Sequence, residues 1–321
     1  MIALTTGSAT DVGRVRLSNE DSLLVAAPIF AVADGMGGYA GGAVASAIAV
    51  ARLRRLCELD SLKTEDVHAA LVDANNEIVE RGQTDAETLG MGTTVAGLAL
   101  VETSGSEYWL VFNVGDSRVY RLAEGVLAQV SVDHSYMQEL VEEGRITPDE
   151  ALTHPERNVV TRALGSEPDV APDLWLMAPE EGELFLLCSD GLTRELSVAQ
   201  MATVLRRAGD PQTACDELVA AALEAGGRDN VSVVVIQVGS KSIRGELDEV
   251  TVPPSGLRRE GQSEDSVTPQ EEARDSAEPA AVAQTHPAQT EIITAVPGVR
   301  SVTGVPSKPV PDAVIQDVPG G

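Results

Sequence analysis

Apolar positions along the first 240 residues come in short runs, not long stripes. The clearest are Leu23–Ala33, Thr94–Val101, Tyr108–Val114, Leu184–Cys188 and Val231–Val238, bounded by turn residues, and each reads as β-strand. The stretch YWLVFNVGDSRVYRL reads as a strand, a tight turn at Gly115–Asp116 and a second strand. Helical patterns fill the intervals. Ala43–Leu56 is alanine-rich. Thr64–Arg81 opens on a capping threonine and sets Val67, Leu71, Ala74 and Ile78 on one face. Ser197–Ala208 and Pro211–Ala225 follow late in the chain. Strands come in adjacent pairs and so do helices, without strict β-α-β alternation. That order predicts an α+β fold: mainly antiparallel sheets with helices packed outside.

After residue 240 the pattern stops. Residues 241–321 hold ten of the 17 prolines and no Phe, Trp or Tyr. With so little bulky apolar surface they cannot offset the entropy of ordering. The division this predicts is one folded domain over 1–240 and a disordered, proline-rich acidic tail over 241–321.

Charge narrows the function. Of a formal net charge of −27, the first 240 residues carry −21, which argues against nucleic-acid binding through displaced counterions. Acidity of this kind serves solubility, or else some of the carboxylates hold metal ions. The three cysteines, Cys57, Cys188 and Cys215, lack metal-ligand spacing and fit a reducing compartment. Neither a signal peptide nor a run of about 20 apolar residues is visible, so the expected location is cytoplasmic.

Aspartates recur at strand ends. IFAVADG ends at Asp34, LVFNVGD at Asp116 and LFLLCSDG at Asp190, while GGRDN sets Asp229 just before the strand VSVVVI. RVRLSNEDSLLVA places Glu20 and Asp21 at the start of another strand. Each Asp-Gly alone is ordinary turn chemistry. Delivered together from several strand ends, the carboxylates would repel one another and lose solvation unless a hard divalent cation joined them. Mg²⁺ and Mn²⁺ take oxygen ligands, and these motifs lack the His and Cys that zinc prefers. Five glycines, Gly35, Gly37, Gly38, Gly41 and Gly42, follow Asp34. They would leave room for a cation and for a backbone carbonyl ligand; they equally suit a strand-to-helix turn with close helix packing.

Seven elements in order, RLSNED (16–21), DGMGG (34–38), GTT (92–94), VGDSR (114–118), TRALG (161–165), SDG (189–191) and GRDN (227–230), resemble the metal-dependent protein phosphatase family, also called the protein phosphatase 2C family, in its bacterial branch. The resemblance implies a four-layer α-β-β-α sandwich, with two mainly antiparallel β-sheets flanked by helix pairs and metals in a cleft at one end. It implies that Asp34 bridges two Mn²⁺ or Mg²⁺ ions, that Gly35 gives its carbonyl to the first, and that Asp190 and Asp229 ligate the second. Glu20 and Asp21 would act through water, Asp116 would help hold a third, weaker ion, and Arg16 would grip the substrate phosphate with its planar fork. The implied reaction is hydrolysis of phosphoserine and phosphothreonine in proteins by in-line attack of a metal-bridging hydroxide.

The same resemblance bears on partners and on further residues. Partners would be phosphorylated proteins, including serine/threonine kinases and their substrates, met by a monomer with neither nucleic acid nor a membrane span. A catalytically silent phosphoprotein scaffold is the alternative, and it would tend to lose the aspartates retained here. Met36 stands where many eukaryotic members have a proton-donating histidine, which leaves His134 and His154 as weaker candidates beside a water. Ser135–Thr161, with Pro148 and Pro155 interrupting a helical pattern, resembles the bacterial flap and suits a mobile segment. Serines and threonines of Ser263–Ser276 are candidate phosphorylation sites in the tail.

Overall fold

Strands built from valine, leucine and alanine bury both of their faces here, and this sets the layering. The structure, a computed structural model, describes residues 2–37, 41–84, 86–241 and 299–301. The elements run β1 (Ile2–Asp11), β2 (Ser22–Ala26), β3 (Ile29–Ala33), β4 (Gly35–Met36), α1 (Gly41–Arg54), α2 (Thr64–Thr84), β5 (Gly92–Thr93), β6 (Val95–Thr103), β7 (Ser106–Val114), β8 (Arg118–Ala123) and β9 (Val126–Gln129). They continue with α3 (Tyr136–Glu142), α4 (Pro148–Thr153), β10 (Asp173–Met177), β11 (Leu184–Cys188), α5 (Asp190–Thr193), α6 (Val198–Arg207), α7 (Pro211–Ala225), β12 (Val231–Lys241) and β13 (Val299–Ser301).

One sheet has the order β1-β12-β11-β8-β9, and the other β13-β10-β7-β6-β3-β2. Every pair is antiparallel except β10 with β13. Alternate residues of β12 point opposite ways: Val234 and Ile236 meet Phe30, Trp109, Val111 and Phe185 between the sheets, while Val233 and Val235 pack under α6 and α7 against Met201, Leu205 and Leu218. On the other sheet Leu110 and Phe112 of β7 face α1 and α2 through Leu53, Leu71 and Ile78. The result is the expected four-layer α-β-β-α sandwich. Continuous apolar runs, not alternating ones, are what strands buried on both faces require.

Several local expectations change. The run Leu23–Ala33 is two strands, because a turn at Ala27–Pro28 folds it into the β2–β3 hairpin. The strand, turn and strand around Gly115–Asp116 form as expected, with β7 in one sheet and β8 in the other, so the chain changes layers there. Thr64 is the first helical residue of α2, and the N–H of Lys63 is met by Asp66 at 2.9 Å. Pro148 starts α4 at a position needing no N–H donor, behind a capping box of Thr147 and Glu150. The ends of the 135–161 segment are pinned by a bridge between Ser135 and Val160. Of the stretch 241–321, all but Lys241 and Val299–Ser301 lies outside the described residues, including Ser263–Ser276.

Candidate active site

The sandwich delivers its aspartates to one end. Asp34 follows β3, and Asp21 precedes β2 of the same sheet; Asp190 follows β11, and Asp229 precedes β12 of the other sheet. Asp116 lies where the chain crosses between sheets. Each of Asp21, Asp190, Asp116 and Asp229 disfavours the ionised form of Asp34, whose carboxyl is held well above the usual range by burial first and by these neighbours second. Burial also raises Asp21, to about 6, with Asp229 adding to it. Asp190 is raised by burial and by Asp116, against the opposing effect of Arg194. Asp116 is raised by burial and by Asp133. Glu20 is raised by partial burial and held down in part by Arg16.

The backbone around Asp34 is clamped. Its carbonyl accepts from Thr94 N–H and from the Thr93 hydroxyl, both at 2.9 Å, and its N–H donates to Thr94 Oγ1 at 3.3 Å. Thr94 Oγ1 shares a 2.6 Å hydrogen bond with Ser117, which ties GTT to VGDSR. Gly35 pairs with Thr93, and a Cβ there would strike the backbone of Gly42 and lie 2.5 Å from the Glu20 carbonyl oxygen. The first glycine of the motif is therefore required by the close approach of α1 and the loop bearing Glu20. Gly38 lies outside the described residues, while Gly41 and Gly42 open α1.

Arginines occupy the acidic end. Arg16 holds Asp229 with two donors, Nε to Oδ1 at 2.8 Å and Nη2 to Oδ2 at 2.9 Å. Arg194 pairs with Asp190 Oδ2 through Nη2 and with Asp229 Oδ2 through Nη1 at 2.9 Å. Ser189 donates to Asp21 Oδ2 at 2.9 Å. Among the described residues, Asp21 Oδ1 and Asp190 Oδ1 are buried with no hydrogen-bond partner. Among the described residues, no three His, Cys, Asp or Glu side chains stand, in their present rotamers, as a ready-made chelate. Five aspartates with raised or mutually repelling carboxyls and two orphaned buried oxygens nonetheless form an all-oxygen donor set of the kind hard divalent cations take. The residues fit such ions.

Residues carrying no charge also build this end, and the motif reading passed over them. Asn230 accepts the Glu20 N–H at 2.9 Å and donates to the carbonyls of Val12 and Ser18 at 2.9 and 3.0 Å. Ser46 donates to the Glu20 carbonyl at 2.6 Å. Ser189 accepts the Ser232 N–H at 3.0 Å. Ser189 and Asn230 lie inside SDG and GRDN, but the contacts that give them and Ser46 their roles are not visible in the sequence. Of the two histidines named as candidate proton donors, His134 lies beside Asp116 and His154 in the 135–161 segment. His134 accepts the Gly115 N–H on Nδ1 at 3.0 Å and faces Asp173 with Nε2, while His154 ends α4. Cys188 is core, its thiol pushed up to about 12 by burial, as expected of a side chain with no nucleophilic part.

The protein phosphatase 2C family profile matches residues 14–224. The chain belongs to the protein phosphatase 2C family. Serine/threonine protein phosphatase PstP of Mycobacterium tuberculosis (strain ATCC 25618 / H37Rv) is 36% identical over 275 residues, covering 80% of this chain and 52% of that protein. The chain thus spans about half the length of the mycobacterial relative it matches. Serine/threonine phosphatase stp of Listeria innocua is 35% identical over 239 residues, 71% of this chain and 93% of that protein. A solved catalytic domain of serine threonine protein phosphatase PstP in complex with two manganese ions superposes with a TM-score of 0.68 at 35% identity, covering 75% of this chain and all of that one. The family's fold is the one seen here, down to two mainly antiparallel sheets between helix pairs.

Proposed function

We propose that this chain is a metal-dependent protein phosphatase that hydrolyses phosphoserine and phosphothreonine in proteins. The observation that carries this reading is the convergence of Asp21, Asp34, Asp116, Asp190 and Asp229, from both sheets, around buried carboxylate oxygens that no donor among the described residues satisfies. Family membership and the relatives' names support it. In this reading Asp34 and the Gly35 carbonyl, with Asp190 and Asp229, would hold two Mn²⁺ or Mg²⁺ ions. Glu20 and Asp21 would act through water, and Asp116 would help hold a third, weaker ion. Such ions, when bound, supply Lewis acidity that acidifies water and offsets charge on phosphoryl oxygens.

The chain's own residues do the rest. The Thr93–Thr94 clamp fixes the carbonyl and N–H of Asp34, so its carboxylate is presented from a rigid strand end. Arg16, more than half exposed, takes the substrate phosphate by exchanging its present carboxylate partner for phosphoryl oxygens of the same planar geometry. His134 braces Gly115 beside Asp116 and is a positioning residue. The catalytic domain spans 1–240 and precedes the 241–321 tail, and the enzyme works as a cytoplasmic monomer on serine/threonine kinases and their substrates. Among the described residues no helix is long and apolar enough to cross a membrane.

Phosphate release from matched phosphothreonine, phosphoserine and phosphotyrosine peptides in Mn²⁺ tests the substrate class. Faster turnover of the first two is expected. A preference for phosphotyrosine, or binding of all three without turnover, would overturn it.

A further inference from the structure

We propose that Arg194 is a resident counter-cation of the acidic end, one that a divalent ion must displace from Asp190 and Asp229, so that this single side chain sets how much metal the site demands. The inference rests on the reading above that these two aspartates take a metal ion.

Arg194 stands directly after the single turn of α5, four residues beyond Asp190. One arm of its guanidinium pairs with Asp190 Oδ2 and the other reaches Asp229 Oδ2 at 2.9 Å. It therefore spans the ends of two adjacent strands, β11 and β12, where one shared ion would also sit. Among the described residues Arg16 pairs with Asp229 alone, and its side chain is 56% exposed. The carboxylates of Asp190 and Asp229 are 12% and 18% exposed, so salt screens their attraction to Arg194 weakly. Arginine stays charged at any working pH, so it cannot vacate the site by losing a proton; it has to swing out. Its own exposure, 33%, leaves that route open.

The neighbouring residue makes the swing separable from the loop's position. Glu195, buried, accepts the Arg228 N–H at 3.0 Å and Arg228 Nη1 at 2.9 Å. Arg194–Glu195 thus clasps Arg228–Asp229 with charges reversed, and the Glu195 arm holds the 227–229 turn without Arg194. The remaining oxygen of Asp190, Oδ1, is left without a partner by this pairing, so the guanidinium satisfies half of the carboxylate and leaves the other half for a cation.

Linkage then fixes the signs. A group that binds the metal-free site stabilises the metal-free protein and weakens metal binding by the same interaction. A merely structural arginine would do otherwise, since its loss would lower both stability and affinity.

The experiment is calorimetric titration of the full chain with Mn²⁺, together with thermal unfolding in EDTA, for the wild type, Arg194→Gln and Glu195→Gln. Arg194→Gln is expected to bind one Mn²⁺ about tenfold more tightly, the equivalent of one partly buried ion pair, while melting at a lower temperature in EDTA. Glu195→Gln, which leaves Arg194 in place, is expected to show no tightening. Unchanged or weaker Mn²⁺ binding by Arg194→Gln, or equal tightening in both variants, would overturn the assignment and leave the phosphatase reading standing. A wild type that takes up no Mn²⁺ would instead overturn the metal reading, and this assignment with it.

Discussion

The side chain of Asn230 joins the loop bearing Arg16, Glu20 and Asp21 to the loop bearing Asp229, through one accepted and two donated hydrogen bonds between 2.9 and 3.0 Å. It is nearly fully buried, so its loss strands a backbone N–H and two carbonyls away from water. Leaving such groups unpaired costs about 1–3 kcal/mol. Asn230→Ala should lower the melting temperature by about 5 °C and weaken Mn²⁺ binding, since Glu20 and Asp21 lose their anchor; calorimetry with and without Mn²⁺ checks both. The charged members of the site were legible because carboxylates repeated at strand ends. Asn230, Ser189, Ser46 and Arg194 were not, since their meaning lies in contacts across tens to hundreds of positions in sequence. Arg194 illustrates the difficulty best: on a helical turn it reads as an ordinary surface arginine until Asp229 is seen beside it.

At the scale of elements, periodicity found the strands well wherever both faces are apolar, as in Leu184–Cys188, which the structure reproduces residue for residue. Pairing was not visible in it. β7 and β8 adjoin in sequence across Gly115–Asp116 yet sit in opposite sheets, because each finds its partners by burial and not by nearness along the chain. Pro28 was the overlooked sign that Leu23–Ala33 must fold back, since it supplies no N–H to a continuing ladder. Pro148 was misread in the other direction, as a break where it is a helix start. The capping box makes a direct test possible: Thr147 Oγ1 accepts the Glu150 N–H at 3.3 Å, and Glu150 returns a bond to the Thr147 N–H at 2.8 Å. Thr147→Ala should raise amide exchange in residues 148–153 by about fivefold and leave the global melting temperature unmoved, because α4 contributes little to the core. Exchange mass spectrometry resolves the two effects.

For the molecule as a whole, three apolar layers pay for a cluster of carboxylates that the fold would otherwise reject. The order of helices and strands, with the runs of apolar residues, made the α+β class readable; the four layers and the position of the cleft came from the family resemblance. The cost of the cleft has a sign that pH can reveal. Asp21, raised to about 6, ionises near pH 4 in the unfolded chain and later in the folded one. Its contribution is fully present below about pH 4 and is lost as pH rises through about 6, and the upward shifts of Asp34, Asp116 and Asp190 extend the loss in the same direction. In EDTA the protein should therefore melt at progressively lower temperature as pH climbs from about 4 through about 6. Asp21→Asn should flatten that slope, and saturating Mn²⁺ should reverse it by favouring the ionised carboxylates. Differential scanning calorimetry across pH, with the variant and with metal, separates this from the general repulsion of a chain with a net charge of −27.

The account stands most directly on phosphate release from a phosphothreonine peptide, measured for the full chain in Mn²⁺, in EDTA, and with Asp34→Ala in Mn²⁺. Turnover in Mn²⁺ that vanishes in EDTA and falls by at least about a hundredfold in the variant is the predicted result. Undiminished release in EDTA, or an Asp34→Ala protein as active as the wild type, would contradict it.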